Sequence, residues 1–205
     1  MNICFLCRNL GKDWGGTETF VLNLANALDQ EGHPIHIVAA ENSSPEIRGL
    51  SGRVRIDRVP IPKTFPLFWQ LNNWLPLEDY VYSRAVADVL DRIIPEEKID
   101  IIENMDYFRQ GFVYARRKKT AMLMRFHGWF FNRAQGDLQL LKSLRRREKF
   151  LRKLQKDSIA RMDALVAVSH HTAQFARSVW DLGQREVRVV HNAVDALKFT
   201  PSDQT

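Results

Sequence analysis

Residues 2–40 read NICFLCRNLGKDWGGTETFVLNLANALDQEGHPIHIVAA, and this stretch decides the fold. It opens on an apolar run at 2–7, crosses a glycine-containing loop and enters a helical pattern at 17–30. There Phe20, Val21, Leu24, Ala27 and Leu28 recur at the 3.6-residue period of a helix with one apolar face. Gly32 is placed to end that helix, and Ile35–Ala40 is a second apolar run. Strand, helix, strand at this spacing predicts two parallel strands joined by a right-handed crossover.

The alternation continues along the chain. Further strands are predicted at 54–61, 99–103, 121–126, 164–168 and 187–190, and helices at 77–94, 107–118, 138–160 and 172–182, with Pro95 and Gly183 as stops. Most of the strands are apolar throughout, the pattern of strands covered on both faces. The expected architecture is α/β: a doubly wound, mostly parallel sheet of about seven strands with helices on both faces.

At 205 residues, 45% hydrophobic and 26% charged, the chain suits one well-buried α/β domain. No apolar stretch reaches the roughly eighteen residues of a membrane span, and the N-terminus lacks a basic leader and cleavage site. A cytoplasmic location is expected. Cys4 and Cys7 form a C-x-x-C, but within a strand their Cα atoms would lie about 10 Å apart, too far for a disulfide. They read as core residues.

Charge is uneven. The formal total is +6, yet between Arg116 and Lys156 fourteen Lys/Arg stand against only Asp137 and Glu148. The basic helix at 138–160 carries Leu141, Leu144, Leu151 and Leu154 in a stripe apart from most of its cations. It reads either as a helix packing one face on the sheet or as a surface for an anionic membrane. The aromatic-rich stretch 65–76 is open in the same way, between burial and interfacial anchoring. Nucleic acid is not an expected partner, since neither zinc-finger spacing nor an RNP motif occurs.

Chemistry in a doubly wound sheet sits beyond the carboxyl ends of the strands. Gly15-Gly16, before the first helix, is either a turn needing positive φ or a close approach for a phosphate at a helix N-terminus. Glu18 in the first helical turn suits the helix dipole but would repel an anion brought too near. Arg125-Phe126-His127-Gly128 ends a strand, so Arg125 and His127 share a face. His127 is either a structural histidine or one aimed into the crevice. Glu103-Asn104 is expected at the end of the neighbouring strand, beside it. The remaining histidines do not converge, and no metal site is expected.

Five segments in register carry a resemblance. GGTETFVLNLANALDQEGHPIHIVAA resembles the opening of glycosyltransferase family 4 enzymes, and IDIIENMDY, MRFHGWF, DALVAVSHHTAQFA and VRVVHNAVDALKFTP resemble later elements of that family in order. The resemblance implies the N-terminal, acceptor-side Rossmann-like domain of a GT-B enzyme over residues 1–192. Asn192 and Asp195 would then begin an interdomain linker over 193–205, ahead of a donor-binding C-terminal domain that this sequence lacks.

It further implies transfer of a sugar, with retention and without a metal or cofactor, from a nucleotide-diphosphate sugar to a polysaccharide, lipopolysaccharide or lipid-linked acceptor. Gly15 and Gly16 would face the donor diphosphate, His127 would be the active-site histidine, and Glu103, Asn104 and Arg125 would line the acceptor pocket. Ser169 matches a family serine whose role is open to a plain helix N-cap. Ala193 stands where the family usually has glycine. The isolated chain is expected to be inactive. The alternative is a non-catalytic module docking on a membrane or partner through the basic helix.

Overall fold

The computed structural model describes residues 1–11, 15–42, 47, 49–61, 77–107, 109–117, 119–128 and 146–192, the first two residues of the last segment by backbone only. The elements in order are β1 (Ile3–Leu6), α1 (Gly16–Gln30), β2 (Ile35–Ala40), β3 (Arg55–Val59), α2 (Leu77–Glu97), β4 (Ile101–Met105), α3 (Phe112–Arg117), β5 (Ala121–Phe126), α4 (Arg146–Ala160), β6 (Ala164–Ala167), α5 (His170–Val179) and β7 (Arg188–Val189). They build a seven-stranded sheet in the order β3-β2-β1-β4-β5-β6-β7, every pairing parallel. The order reverses between β1 and β4, which opens a crevice at the carboxyl ends of those strands.

Two cores flank the sheet, and strand alternation assigns residues to them. Ile3, Phe5 and Cys7 face α1 through Phe20, Val21 and Ala25. Cys4 and Leu6 face the opposite layer, where Tyr82, Val86 and Leu90 of α2, Phe112 of α3, Leu154 of α4 and Ala173 of α5 gather. This double coverage is why the strands read as unbroken apolar runs. Both cysteines are free and fully buried, and burial raises their thiol pKa well above the usual range.

Several boundaries differ from the sequence pattern, each for a local reason. Pro95 does not stop α2. It lies in the last turn, where the missing N–H costs one bond, and the chain leaves at Lys98 with φ 51 while Ile99 N–H donates to Ile94 O at 3.1 Å. α3 begins at Phe112 rather than near Tyr107, because Gly111 N–H is held outside the helix by Asn104 Oδ1 at 3.2 Å and Arg109 takes a left-handed φ of 49. α5 ends at Val179, ahead of Gly183, as Trp180 and Leu182 leave the helix for the core.

β4 lies two residues later than expected, its register fixed by Ile3 opposite Ile101. Glu103 and Asn104 are therefore inside the strand, not at its end. α4 is amphipathic as read, with Leu151 and Leu154 buried and Lys149, Lys153 and Lys156 exposed. The first half of the predicted basic helix and the aromatic stretch 65–76 lie outside the described residues.

Candidate functional site

The described residues of the site follow β1, β4 and β5. At the first, Gly15 is extended (φ −100°) and caps α1, and Gly16 is helical. Neither glycine supplies the positive φ that one reading required; that falls earlier, at Gly11 (φ 75). Gly15 N–H donates to Glu18 Oε2 at 3.2 Å, so the first-turn carboxylate is folded back over its own helix N-terminus. A Cβ at Gly15 would stand 2.8 Å from that oxygen, so the Glu18 carboxylate would have to shift to admit a side chain there. The other oxygen, Glu18 Oε1, accepts from Tyr107 Oη at 3.2 Å. Glu18 is thus buried against two hydrogen-bond donors, and the Tyr107 hydroxyl pKa is raised, by burial first and by Cys7 and Glu18 after it.

At the second and third loops, Asp106 follows β4 and meets the end of β5. Its Oδ1 accepts from His127 N–H at 3.1 Å and its Oδ2 from Gly128 N–H at 3.2 Å. Gly128 takes φ 87, a conformation costly for any side chain, at the point where the chain turns off the strand. The His127 ring packs edge-on against Phe20 of α1, with centroids 5.1 Å apart. Its Nε2 is buried without a hydrogen-bond partner among the described residues. Burial first, and then the neighbouring Arg125 cation, lowers the His127 pKa to about 4, so the imidazole is neutral at pH 7.

Arg125 and His127 share a face as the alternation predicts, and Phe20 lies under both, 4.7 Å from the Arg125 guanidinium carbon. Arg125 is not free, however. Its Nε donates to Glu103 Oε1 at 2.6 Å and its Nη2 to Glu103 Oε2 at 3.2 Å, with Glu103 4% and Arg125 6% exposed. Asn104 is fully buried on the other face, holding Gly111 N–H. Asn192 is exposed just beyond β7; Asp195 and the rest of 193–205 lie outside the described residues. Ser169 caps α5 by accepting from Thr172 N–H at 3.0 Å. No group of three or more His, Cys, Asp or Glu among the described residues could hold a metal.

The structure therefore brings Gly15, Gly16 and His127 to one edge and sets Glu103 and Arg125 beneath it as an ion pair. Sequence reasoning missed Asp106 and Tyr107, which it assigned to a helix and its approach. The local pattern pointed to Glu103 instead, the acid directly after Ile101-Ile102, while Asp106 follows three residues later.

Comparison with known proteins bears on the fold and the family. No curated protein sequence matches the chain. Among solved structures, sucrose-phosphate synthase from Thermosynechococcus elongatus superposes with TM-score 0.70 at 15% identity, over 98% of this chain and 50% of that one. A glycosyltransferase from Rickettsia africae gives 0.60 at 15%, over 100% and 46%. HepE from Anabaena, in complex with UDP and glucose, gives 0.58 at 14%, over 99% and 47%. The chain spans about half the length of these structures, which share its fold as GT-B glycosyltransferases. The sequence profile of Glycosyltransferase Family 4 matches residues 14–196, which include Gly15-Gly16, the residues that follow β4 and β5, and all strands after β1. On that match, and with a fold to suit it, the chain belongs to glycosyltransferase family 4.

Proposed function

We propose that the chain is the acceptor-side half of a retaining glycosyltransferase that moves a sugar from a nucleotide-diphosphate sugar to a polysaccharide, lipopolysaccharide or lipid-linked acceptor. The observation that carries this reading is His127: a neutral imidazole at the crevice edge with Nε2 left unpartnered among the described residues. A buried polar atom without a partner is costly, and a hydroxyl of the donor sugar would satisfy it. The N-terminus of α1 lies on the same edge, where its dipole favours the charge that develops on a leaving diphosphate, provided that group stands clear of Glu18, which takes Gly15 N–H. HepE, solved with UDP and glucose, supports this donor class. For the acceptor, the Glu103–Arg125 pair forms the floor, while Asn104, on the other face, is taken up by Gly111 N–H, and Arg125 Nη1 reaches Val190 O at 3.5 Å beside the exposed end of β7.

The donor's remaining contacts are assigned to a second domain, so the chain alone is expected to be inactive. The reading is tested with the complete enzyme, incubated with nucleotide-diphosphate sugars and acceptor in excess chelator, by proton NMR of the product's anomeric centre. The donor's configuration should be retained; inversion, or an absolute need for divalent metal, would overturn it.

A second reading, docking on an anionic membrane, has one observation in its favour. Lys149, Lys153 and Lys156 are exposed on α4 beside Phe150, itself 42% exposed. No helix among the described residues is long and apolar enough to cross a membrane. The chain should float with anionic vesicles at low salt and be released at high salt; absence of binding at low salt would end that reading.

A further inference from the structure

Two carboxylates stitch the three crevice loops together, and one of them holds the backbone from which His127 projects. Asp106 is 8% exposed, and its own N–H donates to Arg125 O at 3.1 Å, so it is anchored to the ladder beside the residues it grips. Its two oxygens then take the consecutive N–H groups of His127 and Gly128. Two successive amides converging on one anion form a concave donor pair, and Asp106 fills it from within the chain. Next along the chain, Tyr107 donates to Glu18, and Glu18 accepts from Gly15 N–H. The connection therefore runs Gly15, Glu18, Tyr107, Asp106, His127, Gly128, across loops that share no covalent link shorter than a whole βα unit.

We infer that Asp106 is a positioning residue for His127: its carboxylate fixes the backbone that aims the imidazole into the crevice, and through Tyr107 and Glu18 it sets that ring against the Gly15-Gly16 loop. The inference rests on His127 as a site residue for its catalytic consequence, but not for its structural one. Asp106 touches no reacting atom. Its effect is on aim, and misplacing a reacting group by about 1 Å costs on the order of 10²-fold in rate.

The test has two readouts. In the 205-residue chain, the His127 imidazole is titrated by NMR with histidine-selective labelling, its signal assigned from the His127→Ala spectrum. Of the charged groups nearby, Arg125 on β5 acts on the ring directly, Glu103 on β4 is paired with Arg125, Glu18 on α1 is joined through Tyr107, and only Asp106 is altered in Asp106→Ala. Removing a carboxylate by itself lowers an imidazole's pKa, so a rise toward the ordinary value of about 6.5 reports release of the ring from its buried slot. That rise is the expected result. Glu18→Gln, which leaves the His127 N–H bonded to Asp106, should not raise the His127 titration.

In the complete enzyme, Asp106→Ala should lower kcat about 10- to 100-fold with each KM changed by less than about threefold. An unshifted or lowered titration in Asp106→Ala overturns the inference, whatever happens to kcat. A raised titration with unchanged kcat leaves the positioning intact and removes His127 from catalysis instead. Should Asp106→Ala fail to fold, Asp106→Asn, which keeps one accepting oxygen, carries the same measurements.

Discussion

Replacing His127 with Ala in the complete enzyme is expected to lower kcat about 10²- to 10³-fold, the usual cost of losing one preorganised donor at a site of developing charge. The fold should survive. The ring is packed on one side by Phe20, and its backbone amide stays bonded to Asp106 after truncation. A second readout comes from acid. Because the folded value of about 4 lies below the ordinary 6.5, the unfolded chain binds more protons between those pH values. The stability gained by keeping the ring neutral is fully present above pH 6.5 and is lost as pH falls toward 4. It amounts to no more than about 3 kcal/mol. Urea unfolding from pH 7.5 down to 4 should show that slope in the parent chain and a flatter one in His127→Ala. Turnover within about threefold of the parent would make His127 a structural residue.

Breaking the ion pair beneath the crevice should have the largest effect on stability. Glu103 and Arg125 meet through two contacts, at 2.6 and 3.2 Å, and both side chains are nearly sealed from water. Glu103→Ala leaves a guanidinium buried over Phe20, and Arg125→Ala leaves a carboxylate buried in β4. Each should cost about 3–5 kcal/mol, because the surviving charge loses its partner without regaining water. At roughly 2–4 °C per kcal/mol for a chain of this size, the melting temperature should fall by about 6–20 °C.

The double variant Glu103→Leu/Arg125→Met removes both charges at similar volume and should recover most of that loss. Calorimetry of the two single variants and the double one decides the matter. Single variants costing under about 1 kcal/mol would mean that the pair is hydrated in solution.

Much of this protein was legible because its strands are covered on both faces. Ile35–Ala40 and Ala121–Phe126 stand where the apolar runs place them, and Gly32, at φ 84, ends α1 as its position implied. The pairing of Arg125 with His127 on one face followed from alternation alone. Where the pattern misled, polar residues were serving tertiary contacts. Glu103 and Asn104 looked like the end of a strand because they are polar, yet each is buried against a partner distant in sequence, Arg125 for one and the Gly111 amide for the other. Residues 107–111 looked helical because their composition permits it. Tyr107 is drawn instead to Glu18, and Arg109 takes a left-handed φ of 49.

The sequence by itself determined the layer architecture and the family, because periodicity and strand-end motifs are local properties. Only the tertiary structure decided what the acidic side chains at the carboxyl edge do. Asp106, Glu18 and Glu103 carry the same charge and lie near strand or helix ends. One grips two amides, one caps its own helix, and one neutralises an arginine. The difference lies in which donors the sheet register delivers to each, and that register is set by packing between segments far apart in the chain.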